Sequence, residues 1–272
     1  MVVDRSERPI GVFDSGLGGL TVARALMDLL PNENLIYFGD TARCPYGPRP
    51  EEEVRRFAFE IMDLLVREDV KLLVMACNSA ASAALQQARA HYEVPVLSVI
   101  EPGVRAAVAA TRNRLIGVIG TLRTVESGAY DDAILATRAN VTLRSRACPR
   151  FVEFVENGDT TSDGLIAVAE DYLGPLKAAG VDTLILGCTH YPLLSGVIHY
   201  VMGDDVVLIS SAEVTATEVF AKLKHDDLIN RSGAPGKHRF IASGPEAVFG
   251  ELGSMLLGPS FNGIEQRPWS MG

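Results

Sequence analysis

The sequence contains little cysteine, and the spacing of its cysteines excludes two common uses of that residue. Only four cysteines occur among 272 residues, and no two of them stand in a C-x-x-C pair. This absence argues against a zinc ribbon and against a thioredoxin-type redox motif. Structural disulfides are not expected in a cytoplasmic chain of this size, so neither a metal site nor a disulfide framework is predicted.

Long apolar runs are also absent. Charged, polar or glycine residues interrupt the longest ones well short of the roughly 20 residues that a membrane span requires. The N-terminal sequence MVVDRSERPIGVF is charged, and it lacks the apolar core and small-residue cleavage site of a signal peptide. The sequence therefore predicts a cytoplasmic protein without a membrane span.

Positive charge is scarce as well, with 25 Lys and Arg residues against 34 Asp and Glu residues and a net charge of −9. No long basic run stands out, which argues against direct binding of nucleic acid but does not exclude a protein partner. The hydrophobic content of 47% and the chain length suit one large α/β domain or two domains of ordinary size.

Apolar strand-like runs and amphipathic helical segments alternate along the chain. This alternation predicts an α/β fold of mainly parallel sheets with helices on both faces. The predicted strands cover residues 9–15, 34–39, 70–76, 94–100, 114–121, 140–147, 181–187, 206–211 and 238–242. A helix is predicted over 246–257, whereas the tail from Gly258, which holds the only tryptophan, shows no clear pattern.

Two stretches of the chain are similar to each other, VKLLVMACNS at 70–79 and VDTLILGCTH at 181–190. IGVFDS at 10–15 likewise resembles IGVIGT at 116–121, at an offset of 106 residues that nearly equals the 111 between Cys77 and Cys188. Two motifs repeated in the same order predict duplicated half-structures. Such proteins bind ligands at the carboxyl ends of their strands, in the cleft between the halves.

Cys77 and Cys188 are the first candidates for a functional site. The alternative is packing, because free cysteine is among the most buried residue types. Both cysteines, however, lie where a strand passes into a helix, and the N–H groups and dipole there bind carboxylate and favour thiolate. Polar residues follow each of them, namely Asn78, Ser79, Thr189 and His190.

Asp14 ends the first strand, before a glycine-rich turn. A dinucleotide-binding fingerprint with Asp40 as the ribose ligand is rejected, because GLGGLT at 16–21 does not match G-x-G-x-x-G. A carboxylate at Asp14 would also lie close to an anionic pyrophosphate. Asp14 is better explained as the partner of an ammonium group or a thiol, and the alternative is an Asx turn or helix cap.

Three further features lie near the expected ligand side. His190 is two residues from a candidate thiol base and titrates in the working range, although a lone histidine is usually structural. Glu156 is a weaker candidate by the same argument. The loop at 45–47 is either part of the site or an ordinary turn. Cys44 and Cys148 are interpreted as packing.

Four motifs together resemble the glutamate racemase family of cofactor-independent amino-acid racemases. They are IGVFDSGLGGLTV, YFGDTARCPYG, ACNSAAS and LGCTHYPLL, and they occur in this order between residues 10 and 194. The resemblance implies two pseudo-symmetric α/β domains, each a mainly parallel sheet flanked by helices, with the active site in the interdomain cleft. The first domain would comprise residues 1–98 plus 210–272, and the second 99–209.

The resemblance also implies the residues of the site. Cys77 and Cys188 would be the two catalytic thiols, assisted by Asp14, His190 and Glu156. Residues implied to bind substrate are Asp14, Ser15, Tyr46, Gly47, Asn78, Ser79, Thr121, Thr189 and His190. Ser79 is a departure, since the family more often has threonine there, but both side chains offer a hydroxyl. Aspartate racemases usually carry an acid at the position of His190, so the histidine favours glutamate.

The implied activity is interconversion of L- and D-glutamate by two-cysteine proton transfer without a cofactor, supplying D-glutamate for peptidoglycan. The implied partners are glutamate and a second copy of the chain, and the DNA gyrase inhibition known for some members leaves a gyrase interaction open. A dithiol redox protein, a nucleotide-binding oxidoreductase and a non-enzymatic regulator are the rival hypotheses.

Overall fold

A computed structural model describes residues 4–245, 253–258, 261 and 263–269. Two parallel sheets form its framework. The strands are β1 (Ile10–Asp14), β2 (Leu35–Gly39), β3 (Leu72–Met75), β4 (Val96–Ser98), β5 (Leu115–Gly120), β6 (Thr142–Ala147), β7 (Thr183–Gly187), β8 (Val207–Ser210), β9 (His238–Ala242) and β10 (Glu265–Gln266).

Helices connect the strands and cover the sheets. They are α1 (Leu20–Leu29), α2 (Glu51–Arg67), α3 (Asn78–His91), α4 (Ile100–Ala110), α5 (Leu122–Glu126), α6 (Ala129–Thr137), α7 (Arg150–Glu156), α8 (Asp163–Ala178), α9 (Ser195–Met202) and α10 (Ser211–His225). Of the helix predicted over 246–257, residues 253–257 are helical and the rest lies outside the described residues.

The two sheets repeat one strand order. The larger sheet has the order β10-β9-β2-β1-β3-β4, and the smaller sheet has β6-β5-β7-β8. The segments β2-β1-β3-β4 and β6-β5-β7-β8 are therefore equivalent, with β1 matching β5 and β3 matching β7. Every pair in both sheets is parallel. The predicted fold class of two mainly parallel sheets flanked by helices is confirmed.

We propose the domain limits 1–98 plus 210–272 and 99–209 because they follow this division of strands. β1 to β4, β9 and β10 belong to the larger sheet, and β5 to β8 belong to the smaller one. β8 ends at Ser210, one residue beyond the proposed limit. Buried side chains of both portions share one hydrophobic cluster, in which Tyr130 and Ile134 of α6 join Leu85 and Ala88 of α3.

The structure differs from the prediction around residue 100. The strand predicted over 94–100 is limited to Val96–Ser98, and Ile100 begins α4, which was not predicted. Pro102 and Gly103 suggest a loop in the sequence, but proline is well tolerated in the first turn of a helix because its missing N–H would be unpaired there. In the part of the chain that the structure describes, no helix is both long and apolar enough to cross a membrane.

Candidate active site

The predicted residues lie at the carboxyl ends of the central strands of the two sheets. Asp14 is the last residue of β1, and Cys77 follows β3 beside it. In the smaller sheet, Thr121 follows β5 and Cys188 follows β7, the strand paired with it. The repeated strand order therefore places one thiol in each half of a common site.

One small cavity brings both thiols together. Its volume is about 20 Å³, room for about one water molecule. The predicted side chains that line it are Ser15, Tyr46, Gly47, Cys77, Asn78, Ser79, Thr121, Cys188, Thr189 and His190. Asp14 and Glu156 do not line it and contact it through other residues.

Cys77 is the N-cap of α3. Its Sγ accepts a hydrogen bond from the Ala80 N–H at 3.4 Å and lies 3.5 Å from the Ser15 hydroxyl. Burial, and after it the negative charge of Asp14, raises the pKa of the Cys77 thiol to about 12. Cys77 is therefore a protonated thiol at neutral pH, the form that can give a proton.

Cys188 has a different neighbour. Its Sγ lies 3.7 Å from Nδ1 of His190, and Nε2 of that buried ring lies 3.6 Å from Oε1 of Glu156, an ion-pair separation. Burial acts to lower the pKa of His190, but the neighbouring Cys188 sulfur and Glu156 carboxylate outweigh it and raise the pKa to about 10. An imidazolium thus lies beside the Cys188 sulfur at neutral pH.

Asp14 is a buried hydrogen-bond acceptor next to the cavity. Its Oδ2 accepts hydrogen bonds from the N–H groups of Gly16 and Gly19, both at 3.1 Å, in the Asx-type turn that leads into α1. The Thr189 hydroxyl donates to its Oδ1 at 3.4 Å. Since Asp14 belongs to the larger sheet and Thr189 follows a strand of the smaller one, this contact joins the two halves.

Two polar pairs also join the halves. The Ser79 hydroxyl lies 2.9 Å from the hydroxyl of Thr121, the N-cap of α5. The Tyr130 hydroxyl of α6 donates to Oδ1 of Asn78 at 2.8 Å. Nδ2 of Asn78 is buried and has no hydrogen-bond partner within the described residues. It is therefore a donor that remains available at the cavity.

The loop at 45–47 forms one wall of the cavity. It begins with a cis peptide bond between Cys44 and Pro45. The Gly47 carbonyl accepts a hydrogen bond from the Arg123 N–H at 3.1 Å, which ties the loop to α5. A Cβ at Gly47 would lie 3.0 Å from Cβ of Thr121, so only glycine fits without displacement.

The sequence indicates a packing role for Cys44, yet Cys44 lines the cavity. Its thiol donates to Oε1 of Glu156 at 3.5 Å, and burial, followed by the charge of Glu156, raises its pKa well above the usual range. Cys44 is therefore an unreactive donor that holds the carboxylate facing His190. Cys44 and Glu156 also line an adjoining cleft of about 690 Å³. Cys148 is buried but does not line the cavity.

The sequence interpretation did not find Tyr130. It lies on α6, 52 residues from Asn78, and no local motif marks it. Among the residues that the structure describes, no three His, Cys, Asp or Glu side chains are grouped so that they could hold a metal ion.

The chain matches the family model for Asp/Glu/Hydantoin racemase over residues 20–219. The chain therefore belongs to this racemase family and is an enzyme, an isomerase. It is 54% identical to the glutamate racemase of Beutenbergia cavernae, covering 95% of this chain and 92% of that protein.

Solved structures give the same result. A glutamate racemase isoform of Bacillus anthracis superposes with a TM-score of 0.92 at 41% identity, covering 98% of each chain. The glutamate racemase of Francisella tularensis, solved in complex with D-glutamate, superposes with a TM-score of 0.90 at 33% identity, covering 96% of this chain and 98% of that one. The chain is thus similar along nearly its whole length to glutamate racemases.

Proposed function

We propose that the protein interconverts L- and D-glutamate by moving the α-proton between two cysteine thiols, without a cofactor. The observation that supports it most is the shared cavity lined by Cys77 and Cys188, one from each repeated half. Racemisation requires proton removal on one face of the α-carbon and delivery on the other. Two thiols meet this need without movement of a single base around the substrate.

The different surroundings of the thiols assign their roles. His190 places a positive charge beside Cys188, whereas Cys77 is kept protonated by burial and by Asp14. In the direction from L-glutamate, Cys188 takes the α-proton as thiolate and Cys77 delivers one to the opposite face. In the direction from D-glutamate the two roles exchange. Every turnover moves one proton onto one sulfur and one off the other, so charge and protons balance.

Hydrogen-bond donors at the cavity would stabilise the developing negative charge next to the substrate carboxylate. Asn78 offers an unpaired amide N–H. The Thr189 hydroxyl lies in the other half and would turn from Asp14 to donate to the substrate. Fixed donors in a site with little water are more effective than the same groups in solvent. His190, where aspartate racemases usually carry an acid, supports glutamate as the substrate.

Deuterium exchange tests this proposal directly. The purified protein, incubated in deuterated buffer without added cofactor, should exchange the α-proton of glutamate and invert its configuration. The double variant Cys77→Ser, Cys188→Ser should do neither. Cys148→Ser is the matched control, since it removes a buried cysteine that does not line the cavity. Inactive wild type, or an active double variant, would contradict the proposal.

The dithiol redox alternative predicts a different product. Mild oxidation would then join Cys77 and Cys188 in a reversible disulfide, detectable as a linked peptide pair by mass spectrometry. The racemase proposal requires both thiols to remain reduced through many turnovers. Oxidation should therefore abolish racemisation, and reduction should restore it.

The wider role is also a proposal. D-glutamate made in the cytoplasm would supply peptidoglycan synthesis. A homodimer and an interaction with DNA gyrase remain predictions from the family resemblance. Analytical ultracentrifugation with and without glutamate tests the dimer. A gyrase supercoiling assay with the double cysteine variant separates gyrase inhibition from racemisation.

A further inference from the structure

Asp40 is a buried carboxylate just after β2 that gathers donors from distant parts of the chain. None of its surface is exposed. Its Oδ1 accepts hydrogen bonds at 2.7 Å from the Ser243 hydroxyl and from the indole N–H of Trp269. Its Oδ2 accepts from Nε of Arg43 at 2.7 Å and from the Tyr46 hydroxyl. One carboxylate thus connects the C-terminal tail with the loop that forms the cavity wall.

Trp269 is fixed from both sides. Its ring packs against Phe38 with centroids 5.5 Å apart. The Arg43 guanidinium lies 3.9 Å from the centroid of the Trp269 ring and 3.9 Å from that of Phe57, so it is held between two aromatic rings. Such cation–π contacts are strongest where water is excluded. Of the tail, which shows no clear pattern in the sequence, the described segment 263–269 is therefore anchored here.

This anchor reaches the active site through Tyr46. The Tyr46 hydroxyl donates to Asp40, and its buried ring lies 5.6 Å from the ring of Phe57. Tyr46 and Gly47 line the cavity. Trp269 lies outside the cavity and connects to its wall through the shared carboxylate and through the Arg43 side chain.

We propose that Trp269 is a positioning residue for this active site. Its indole N–H holds the Asp40 carboxylate in place. Asp40 in turn accepts from the Tyr46 hydroxyl, and this bond keeps the loop at 45–47 in the form that binds substrate. The proposal rests on the glutamate racemase function proposed above. Without the indole N–H of Trp269, Asp40 has one hydrogen-bond donor fewer. In a fraction of the molecules the loop at 45–47 then adopts a different position. The apparent affinity then falls by that fraction, while saturating substrate selects the competent form and restores the rate.

The first test is Trp269→Phe, which keeps the aromatic ring and removes the N–H. We expect KM to rise about fivefold for both enantiomers with kcat within about twofold of wild type, the pattern of lost ground-state positioning. Trp269→Ala, which also removes the stacking on Arg43, should raise KM further. A purely structural role would instead reduce the amount of active enzyme and leave KM unchanged.

Arg267→Ala is the matched control. Arg267 lies on the same tail and pairs with Glu68 at 2.9 Å, with 41% of its side chain exposed. It does not line the cavity, and exposed ion pairs contribute little to stability. Its KM should stay at the wild-type value. An equal rise in KM for Arg267→Ala and Trp269→Phe would overturn the inference.

A double-mutant cycle tests the route. Tyr46→Phe removes another of the donors to Asp40 and should by itself raise KM. If Trp269 acts through Asp40 and Tyr46, the two changes couple, and Trp269→Phe should have less than half of its effect in the Tyr46→Phe background. Additive effects would overturn the route.

Trp269 is also the only tryptophan, so its fluorescence reports on this contact in the unmodified protein. Binding linkage is reciprocal: if the Trp269 contact favours glutamate binding, glutamate must favour the contact. Saturating glutamate should therefore lower the acrylamide quenching of wild-type fluorescence. If wild type is active but glutamate does not change its quenching, and Trp269→Phe has an unchanged KM, this inference is overturned while the proposed function stands. An inactive wild type overturns the proposed function and this inference with it.

Discussion

The hydroxyl groups of Ser79 and Thr121 lie 2.9 Å apart and connect the two halves of the protein at the edge of the cavity. Thr121 also accepts a hydrogen bond from the Thr124 N–H at 3.3 Å as the N-cap of α5. One small side chain thus starts a helix of one half and binds the first turn of a helix of the other.

Thr121→Val keeps the shape of the side chain and removes the hydrogen bonds that the Thr121 hydroxyl makes with Ser79 and Thr124. We expect unfolding free energy to fall by about 1 kcal/mol from the lost cap. The KM for glutamate should rise about threefold, corresponding to about 0.65 kcal/mol, because the cavity edge is no longer tied. Ser79→Thr retains the hydroxyl and should behave like wild type in urea titration and in steady-state kinetics. If Thr121→Val has the unfolding free energy and KM of wild type, the hydrogen bond between Ser79 and Thr121 contributes neither to stability nor to substrate binding.

The two cysteines should fail in different ways when replaced singly. Each variant should lose about 10² to 10⁴ in the rate of racemisation, the usual contribution of a positioned acid or base. In deuterated buffer, however, Cys77→Ser should still exchange the α-proton of L-glutamate without inverting it. Cys188→Ser should do the same with D-glutamate. Proton NMR with chiral analysis measures both, and exchange of the opposite enantiomers would reverse the assignment of the bases.

Glu156→Gln should shift the pH dependence of catalysis. Glu156 is one of the groups that raise the pKa of His190 from 6.5 to about 10. Without that charge the histidine loses its proton at a lower pH. We expect the alkaline limb of kcat/KM to move to lower pH, with the activity near neutrality reduced about tenfold. A pH profile that does not move would contradict this role for Glu156.

The same contact predicts how stability varies with pH. A histidine with a raised pKa in the folded state stabilises that state most below its unfolded pKa of 6.5, and the contribution is lost as pH rises through about 10. The melting temperature of wild type should therefore exceed that of Glu156→Gln most near pH 6, and the difference should shrink towards pH 10. A difference that grows with pH would contradict the charge state assigned to His190.

Tyr130→Phe should weaken substrate binding. Burial raises the pKa of Tyr130 well above its usual range, so the hydroxyl remains a donor to Asn78. Without it the Asn78 amide is free to rotate, and its N–H group is no longer held for the substrate. We expect KM to rise about tenfold, corresponding to about 1.4 kcal/mol. Tyr200→Phe, at a site where 71% of the residue is exposed, should leave KM unchanged.

Local patterns predicted much of the fold. The alternation of strands and helices, and the similarity of 70–79 to 181–190, are visible because parallel strands buried on both faces have continuous apolar sequences. The positions of Cys77 and Cys188 could be predicted from the same repeat, because each cysteine directly follows an apolar run that is recognisable as a strand. The helix α4 could not, because Pro102 and Gly103 favour a loop unless the proline falls in the first turn.

Contacts between distant segments could not be predicted. The bond between Asp40 and Trp269 joins residues 229 apart, and that between Cys44 and Glu156 joins residues 112 apart. Neither pair has a spacing or a composition that marks it in the sequence. Each depends on how the two halves and the tail come together, which is a property of packing and not of any one segment.

The cavity between the two thiols has room for about one water molecule, and a glutamate is several times larger. Substrate must therefore enter, and product must leave, through a more open form of the protein. The frequency of that opening sets a ceiling on turnover that no improvement of the thiols can exceed. If the wild-type enzyme works near this ceiling, its kcat will fall as solvent viscosity rises, while variants slowed at the chemical step will be insensitive to viscosity.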